Sequence, residues 1–186
     1  MAKEKLITVY EVPEAVPGDP YIRVPAEADK APQTMRLDIE TGEVITLWEE
    51  KHRYPYKTKV ASRLYARTTE RLYKFDLRMD SDGTFMWNGS NIPHVFWSIL
   101  KIGKNSPEGL QASKWHDNLL RFKQESFNTA KLYNEDITVD EFRLLTTEIY
   151  KAFLRNHGVG KFKAFIMGVA INIYQKFNKD WSYIVS

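Results

Sequence analysis

The apolar residues of this chain change period once, and that change restricts the fold more than any other feature of the sequence. Tyr73, Phe75, Leu77 and Met79 recur at every second position with Lys74, Asp76 and Arg78 between them, the spacing of a strand with one covered face. Beyond Ser106-Pro107 the spacing is three or four: Ala112, Trp115, Leu119 and Phe122, then Phe142, Leu145, Ile149 and Phe153, then Phe162, Phe165, Ile166, Val169, Ile173 and Phe177. Strands first and helices afterwards predict an α+β protein, a small antiparallel sheet of two hairpins followed by three to four helices packed on it. At 186 residues and 43% hydrophobic content, the chain can bury one core without covalent staples.

Local signals place the elements. Met35, Leu37 and Ile39 alternate with Arg36 and Asp38, and Ile45 and Leu47 resume the pattern after the turn Glu40-Thr41-Gly42-Glu43, which predicts a hairpin. A second hairpin is expected from Tyr73 through the turn Asp80-Ser81-Asp82-Gly83 to a return strand carrying Phe85 and Trp87. Between them, residues 60–67 suit either a strand or a short helix. A short helix should start at Pro93, and Ser106 followed by Pro107 reads as an N-cap with proline at the first helical position. Asp117 stands four residues before Arg121, a favourable helix pair. Thr138-Val139-Asp140-Glu141 matches a capping box, Ile137 and Phe142 stand as its staple, and Gly158 can end that helix. The stripe from Phe162 to Phe177 is expected to face the core.

Pro13, Pro17, Gly18, Pro20, Pro25 and Pro32 cluster near the start. Proline removes backbone donors, so residues 1–33 read as a proline-rich extended arm and residues 34–186 as a single α+β domain. The chain has no cysteine, which excludes disulfides, thiol nucleophiles and Cys-ligated zinc from its chemistry. No stretch reads as a membrane span, since the most apolar one, residues 162–173, is short and interrupted by Lys163. The net charge of +3 is small but unevenly placed: residues 51–78 hold nine Lys or Arg against two acids, interleaved with Tyr54, Tyr56, Tyr65 and Tyr73. Two readings fit that stretch, a solvated strand face or a nucleic-acid contact in which Arg63 and Arg67 take part.

Special residue types concentrate in residues 85–120. A strand end delivers the polar turn Asn88-Gly89-Ser90-Asn91 before Pro93, and His116-Asp117 follows on a helix. An imidazole and a carboxylate can share a proton or a metal, so His116 and Asp117 are candidate catalytic residues, with His94, Asp136 or Asp140 as conceivable further ligands. Neighbours on a helix point about 100° apart, however, and do not converge automatically. The other reading is architectural: Asn88, Ser90 and Asn91 tie their own turn, while His116 and Asp117 bond across to it and lock sheet to helix. Ser90 lacks the Gly-x-Ser-x-Gly setting of a serine nucleophile.

Asn88-Gly89-Ser90-Asn91-Ile92-Pro93 followed by His116-Asp117-Asn118-Leu119 resembles a family common in tailed phages and prophages, the domain of unknown function 1353 family. Phe85, Gly89, Ile92, Pro93, Trp97, His116, Asp117 and Leu119 carry the resemblance, which spans residues 34–177. The family's turn aspartate is Asn88 here, its serine before Ile is Asn91, and its final tyrosine is Leu120. The resemblance implies a phage-encoded protein associated with the virion, its tail or neck especially, found in the virion or the host cytoplasm and partnered by other phage structural proteins. It leaves cofactor and metal unknown, and it leaves three activities in view: a binding component, a metal-dependent hydrolase using His116 and Asp117, or a nucleic-acid-binding accessory protein.

Overall fold

The computed structural model describes residues 6–13, 29–30, 35–37, 44–46, 56–58, 61–81, 83–87, 107–178, 181 and 184. Eight strands come first: β1 (Leu6–Pro13), β2 (Asp29–Lys30), β3 (Met35–Leu37), β4 (Val44–Thr46), β5 (Tyr56–Thr58), β6 (Ser62–Thr68), β7 (Leu72–Asp76) and β8 (Phe85–Trp87). Among the described residues four helices follow: α1 (Pro107–Arg121), α2 (Lys123–Lys131), α3 (Val139–Asn156) and α4 (Lys161–Asn178). The α+β class expected from the change of period is the class observed. No helix among the described residues is long and apolar enough to cross a membrane.

The main sheet has the antiparallel order β1-β6-β7. Alternation along β6 turns Leu64 and Ala66 toward the helices, and Arg63, Tyr65 and Arg67 away from them. Their partners follow by register: Val9 and Glu11 from β1, and Tyr73 and Phe75 from β7, stand on the inner face. Residues 60–67, open between strand and helix in the sequence, are therefore mostly strand. The β6–β7 turn is fastened by Thr68, whose Oγ1 accepts from the Arg71 N–H at 2.9 Å.

Strand pairing departs from the expected hairpins in two places. The turn at Asp80 does form, with the Gly83 N–H donating to the Asp80 carbonyl at 2.9 Å and Gly83 at φ 74°. The chain leaving it nevertheless pairs with β5, in the order β2-β5-β8, while β7 has β6 as its partner. A turn sets local direction and leaves the ladder partner open. All three residues of β8 are buried, so it is covered on both faces. The hairpin β3–β4 is present, but its register sets Ile45 opposite Arg36 and Leu37 opposite Val44.

Part of the segment expected as an arm, residues 1–33, is sheet. Leu6–Pro13, placed in the arm by the proline count, is a strand hydrogen-bonded along β6, with Val9 in the core. Its proline stands at the last position of the strand, where the rule against proline in a ladder is weakest. Residues 14–28 lie outside the described residues.

Helix α3 is built as its sequence signals dictate. Thr138 accepts from the Glu141 N–H at 3.2 Å, the Glu141 carboxylate accepts from the Thr138 N–H at 2.9 Å, and Ile137 and Phe142 are both buried. The hydrogen bonds from Thr138 hold the Glu141 carboxyl below its ordinary value. At the other end the Val159 N–H reaches the Leu154 carbonyl and the Gly158 N–H the Arg155 carbonyl, each at 3.0 Å, with Gly158 at φ 84°. That double bond, with Val159 packed back among buried residues, is a Schellman stop. Trp87, Trp115, Tyr73, Phe75, Phe127 and Phe142 fill the space between sheet and helices.

The last helix reverses the expectation. Ala164, Met167, Gly168 and Ile171 face α3, and a Cβ on Gly168 would stand 2.3 Å from the Lys151 side chain, so glycine permits the close approach. Phe162, Phe165, Val169, Ile173 and Phe177, expected in the core, are exposed. Small residues pack nearer than phenylalanine can, and they decided which side of the helix turned inward.

Candidate functional site

Helix α1 carries two stripes with different duties. Ala112, Trp115 and Leu119 are buried in the core as their spacing predicts. Beside them Gln111, Lys114, Asn118 and Arg121, at steps of three and four, form a polar row that reaches β1, β8 and the segment that follows β7. Gln111 and Lys114 donate to the two oxygens of Glu11 at 2.7 and 2.6 Å, Asn118 clamps the Arg78 backbone by accepting from its N–H at 3.2 Å and donating to its carbonyl at 2.8 Å, and Arg121 donates to Asp80 at 3.3 Å and to the Met86 carbonyl. These four residues, with Arg121 also lying 4.6 Å from the Phe85 ring, lock sheet to helix.

Glu11 is the carboxylate at the centre of that lock. It sits on the inner face of β1, where a charge needs a partner. Burial pushes its carboxyl up, but the Lys114 charge and the hydrogen bonds from Lys114, Ser62 and Gln111 outweigh burial and hold it below the ordinary 4.5. His157 extends the chain of contacts, its Nε2 lying 2.6 Å from Gln111 Oε1. Sequence reading missed this group; the one available signal was a Glu in an inward position of an alternating strand.

The described contacts of His116 and Asp117 are among the helices, and the turn they were expected to bond lies outside the described residues. His116 is buried between α4 and α3, its Nε2 2.6 Å from the Gln175 amide nitrogen and its ring 5.5 Å edge-on from Tyr150. Donation from the Gln175 amide leaves the ring proton on Nδ1, which lies 3.5 Å from Asp117 Oδ1. His116 thus anchors α4 to α1, with Asp117 beside it. Asp117 turns toward His116, while Arg121 reaches Asp80, so the expected helix pair gives way to these contacts. Asp140 lies in the first turn of α3 and pairs with Arg143 at 3.3 Å, and Asp136 is exposed. No group of three or more His, Asp and Glu side chains converges among the described residues. The turn residues Asn88, Gly89, Ser90, Asn91 and Pro93, with His94, lie outside the described residues.

A second candidate surface is the outer face of the main sheet. Register sets Tyr10 opposite Tyr65 and Tyr65 opposite Lys74, flanked by Arg67 on one side and Arg63 on the other. The two tyrosine rings stack with centroids 4.9 Å apart and planes 7° from parallel, and Tyr10 remains 48% exposed. Arg67 and Lys74 are exposed beside the stack, whereas Arg63 donates to Asp76 at 2.6 Å, a bond that raises its pKa further. The structure therefore gathers Arg63 and Arg67 onto one face with two tyrosines, of which only Tyr65 stood in the basic stretch. Compared with known proteins, the chain matches no family model, no curated protein and no solved structure.

Proposed function

We propose that this is a phage-encoded, virion-associated protein, a structural or accessory component of the tail or neck, which acts through binding surfaces. One observation carries the binding part: Gln111, Lys114, His116 and Asn118 of α1 are engaged in joining one element to another, while large aromatic and aliphatic side chains such as Tyr10, Phe162, Ile173 and Phe177 stand exposed. The phage and tail placement is supported by the motif resemblance described above. Mass spectrometry of purified particles, with a copy estimate against the major capsid protein, tests it. A fixed stoichiometry is the expected result, and absence from particles alongside abundance in infected cells would sink it.

A second reading is favoured by the stacked Tyr10 and Tyr65 among Arg67 and Lys74. Aromatic rings on an open sheet face, with cations around them, suit the stacked bases and phosphates of single-stranded nucleic acid. Binding of a labelled single-stranded oligonucleotide should then weaken with salt, and Tyr65→Ala should weaken it by about 5- to 150-fold. Equal binding by Tyr65→Ala, Arg67→Ala and the unaltered chain would remove this reading.

A further inference from the structure

Helix α4 turns an apolar stripe away from the fold. At about 100° per residue, Phe162, Phe165, Ile166, Val169, Ile173 and Phe177 fall within an arc of about 120°, opposite the arc of Ala164, Met167, Gly168, Ile171 and Gln175 that is buried; Ile166 is partly buried against the core and the other five are exposed. Phe162 is 74% exposed and Phe177 76%. With Tyr174, the stripe presents on the order of 600 Å² of apolar surface, the upper end of what a lone soluble protein leaves open.

The stripe has a further property: apart from its centre, where Val169 falls on the buried Ala170, it reads the same in both directions. Its central line runs Phe162, Ile166, Val169, Ile173, Phe177. Turning the helix end for end about the point between Val169 and Ala170 carries Phe162 onto Phe177 and Ile166 onto Ile173. The same operation carries Phe165 onto Tyr174 and Lys163 onto Lys176. An isologous two-fold interface sets the same patch of each copy against the other, and for antiparallel helices it brings residues related in this way side by side.

We propose that a second copy of this chain covers the stripe, with the two α4 helices packed antiparallel across a two-fold axis that passes between Val169 and Ala170. Phe162 then lies beside Phe177 of the second copy, and Ile166 beside Ile173 of the second copy. A common interface buries about 800 Å² per partner, which the stripe and the stems of its flanking lysines supply. Charge separates this occupant from others. The helix has Lys161, Lys163 and Lys176 and no Asp or Glu, so self-pairing gathers like charges and strengthens as salt screens them. An acidic partner helix or an anionic membrane would be drawn by the same lysines and released by salt.

Sedimentation equilibrium of the full chain tests the pairing. The expected result is a monomer–dimer equilibrium between 21.8 kDa and twice that mass, tighter at about 0.5 M than at about 0.05 M NaCl. Ile173→Glu should weaken association by about a hundredfold or more with an unchanged circular dichroism spectrum, since the side chain is exposed. The chain has no cysteine, so single introduced thiols report the geometry cleanly. Val169→Cys should crosslink to a dimer under mild oxidation and Phe162→Cys should not, while an equimolar mixture of Phe162→Cys and Phe177→Cys should. A monomer at every concentration overturns the proposal, as does a dimer that Ile173→Glu leaves intact. So does a Phe162→Cys chain that crosslinks to itself as readily as Val169→Cys, or a monomer held by vesicles of phosphatidylglycerol and phosphatidylcholine through Ile173.

Discussion

Helices α3 and α4 are the same length, 18 residues, and both are rich in apolar side chains, yet they use them in opposite ways. In α3 the largest ones, Phe142, Ile149, Tyr150 and Phe153, are buried, and both ends are closed by capping motifs. In α4 the largest point outward and the small ones pack inward. Apolar spacing announces that a helical face needs cover; it does not say which neighbour provides it. A helix apolar on several sides gives the sequence reader no preferred orientation, and the close approach allowed at Gly168 settled it here.

The largest break in this comparison comes from α3. Phe142→Ala should cost about 3–5 kcal/mol in urea denaturation, because a fully buried ring leaves a cavity. Next is the lock between α1 and the sheet, whose ion pair has both side chains mostly covered. Lys114→Met should cost about 2–4 kcal/mol by leaving Glu11 buried without its cation. This contribution also titrates. The folded carboxyl lies below its ordinary 4.5, so its stabilisation is present above pH 4.5 and is lost as pH falls through the folded value. A denaturation series from pH 7 downward should show that loss in the unaltered chain and a smaller one in Lys114→Met.

Smaller effects sharpen the contrast at the helix ends. Thr138→Ala should cost about 1 kcal/mol through the lost cap. Gly158→Ala should cost a similar amount, about 1 kcal/mol, since φ 84° disfavours a side chain. The smallest shift is expected where sequence reading placed core: Phe162→Ser, measured on the dilute monomer, should move stability by no more than about 0.5 kcal/mol. A loss near that of Phe142→Ala would mean that the two helices are not opposites after all.

Legibility followed the range of the interaction. The capping box at Thr138, the stop at Gly158 and the buried line Ala112, Trp115 and Leu119 are written within a few residues of themselves, and each stands as read. The partner of β8 lies some thirty positions upstream at β5, and no turn residue encodes it. His116 and Asp117 were visible as adjacent polar residues, but Gln175 and Tyr150, which fix what His116 does, come from other helices. Tyr10 was invisible as a site residue because only the β1–β6 register sets it on Tyr65.

The first strand makes its contacts late. Glu11 meets Ser62 across 51 positions, Gln111 across 100 and Lys114 across 103, and the Val9 carbonyl accepts from Asn156 across 147. On the ribosome, β1 must therefore wait unpaired until β6 has emerged, and Glu11 keeps water for company until α1 is made. Such long-range closure slows folding and leaves Tyr10 and Val12 on an open strand edge in the nascent chain. A chaperone that holds the first strand during synthesis would raise the yield of native protein more than one acting on the helices, whose caps form within a few residues of themselves.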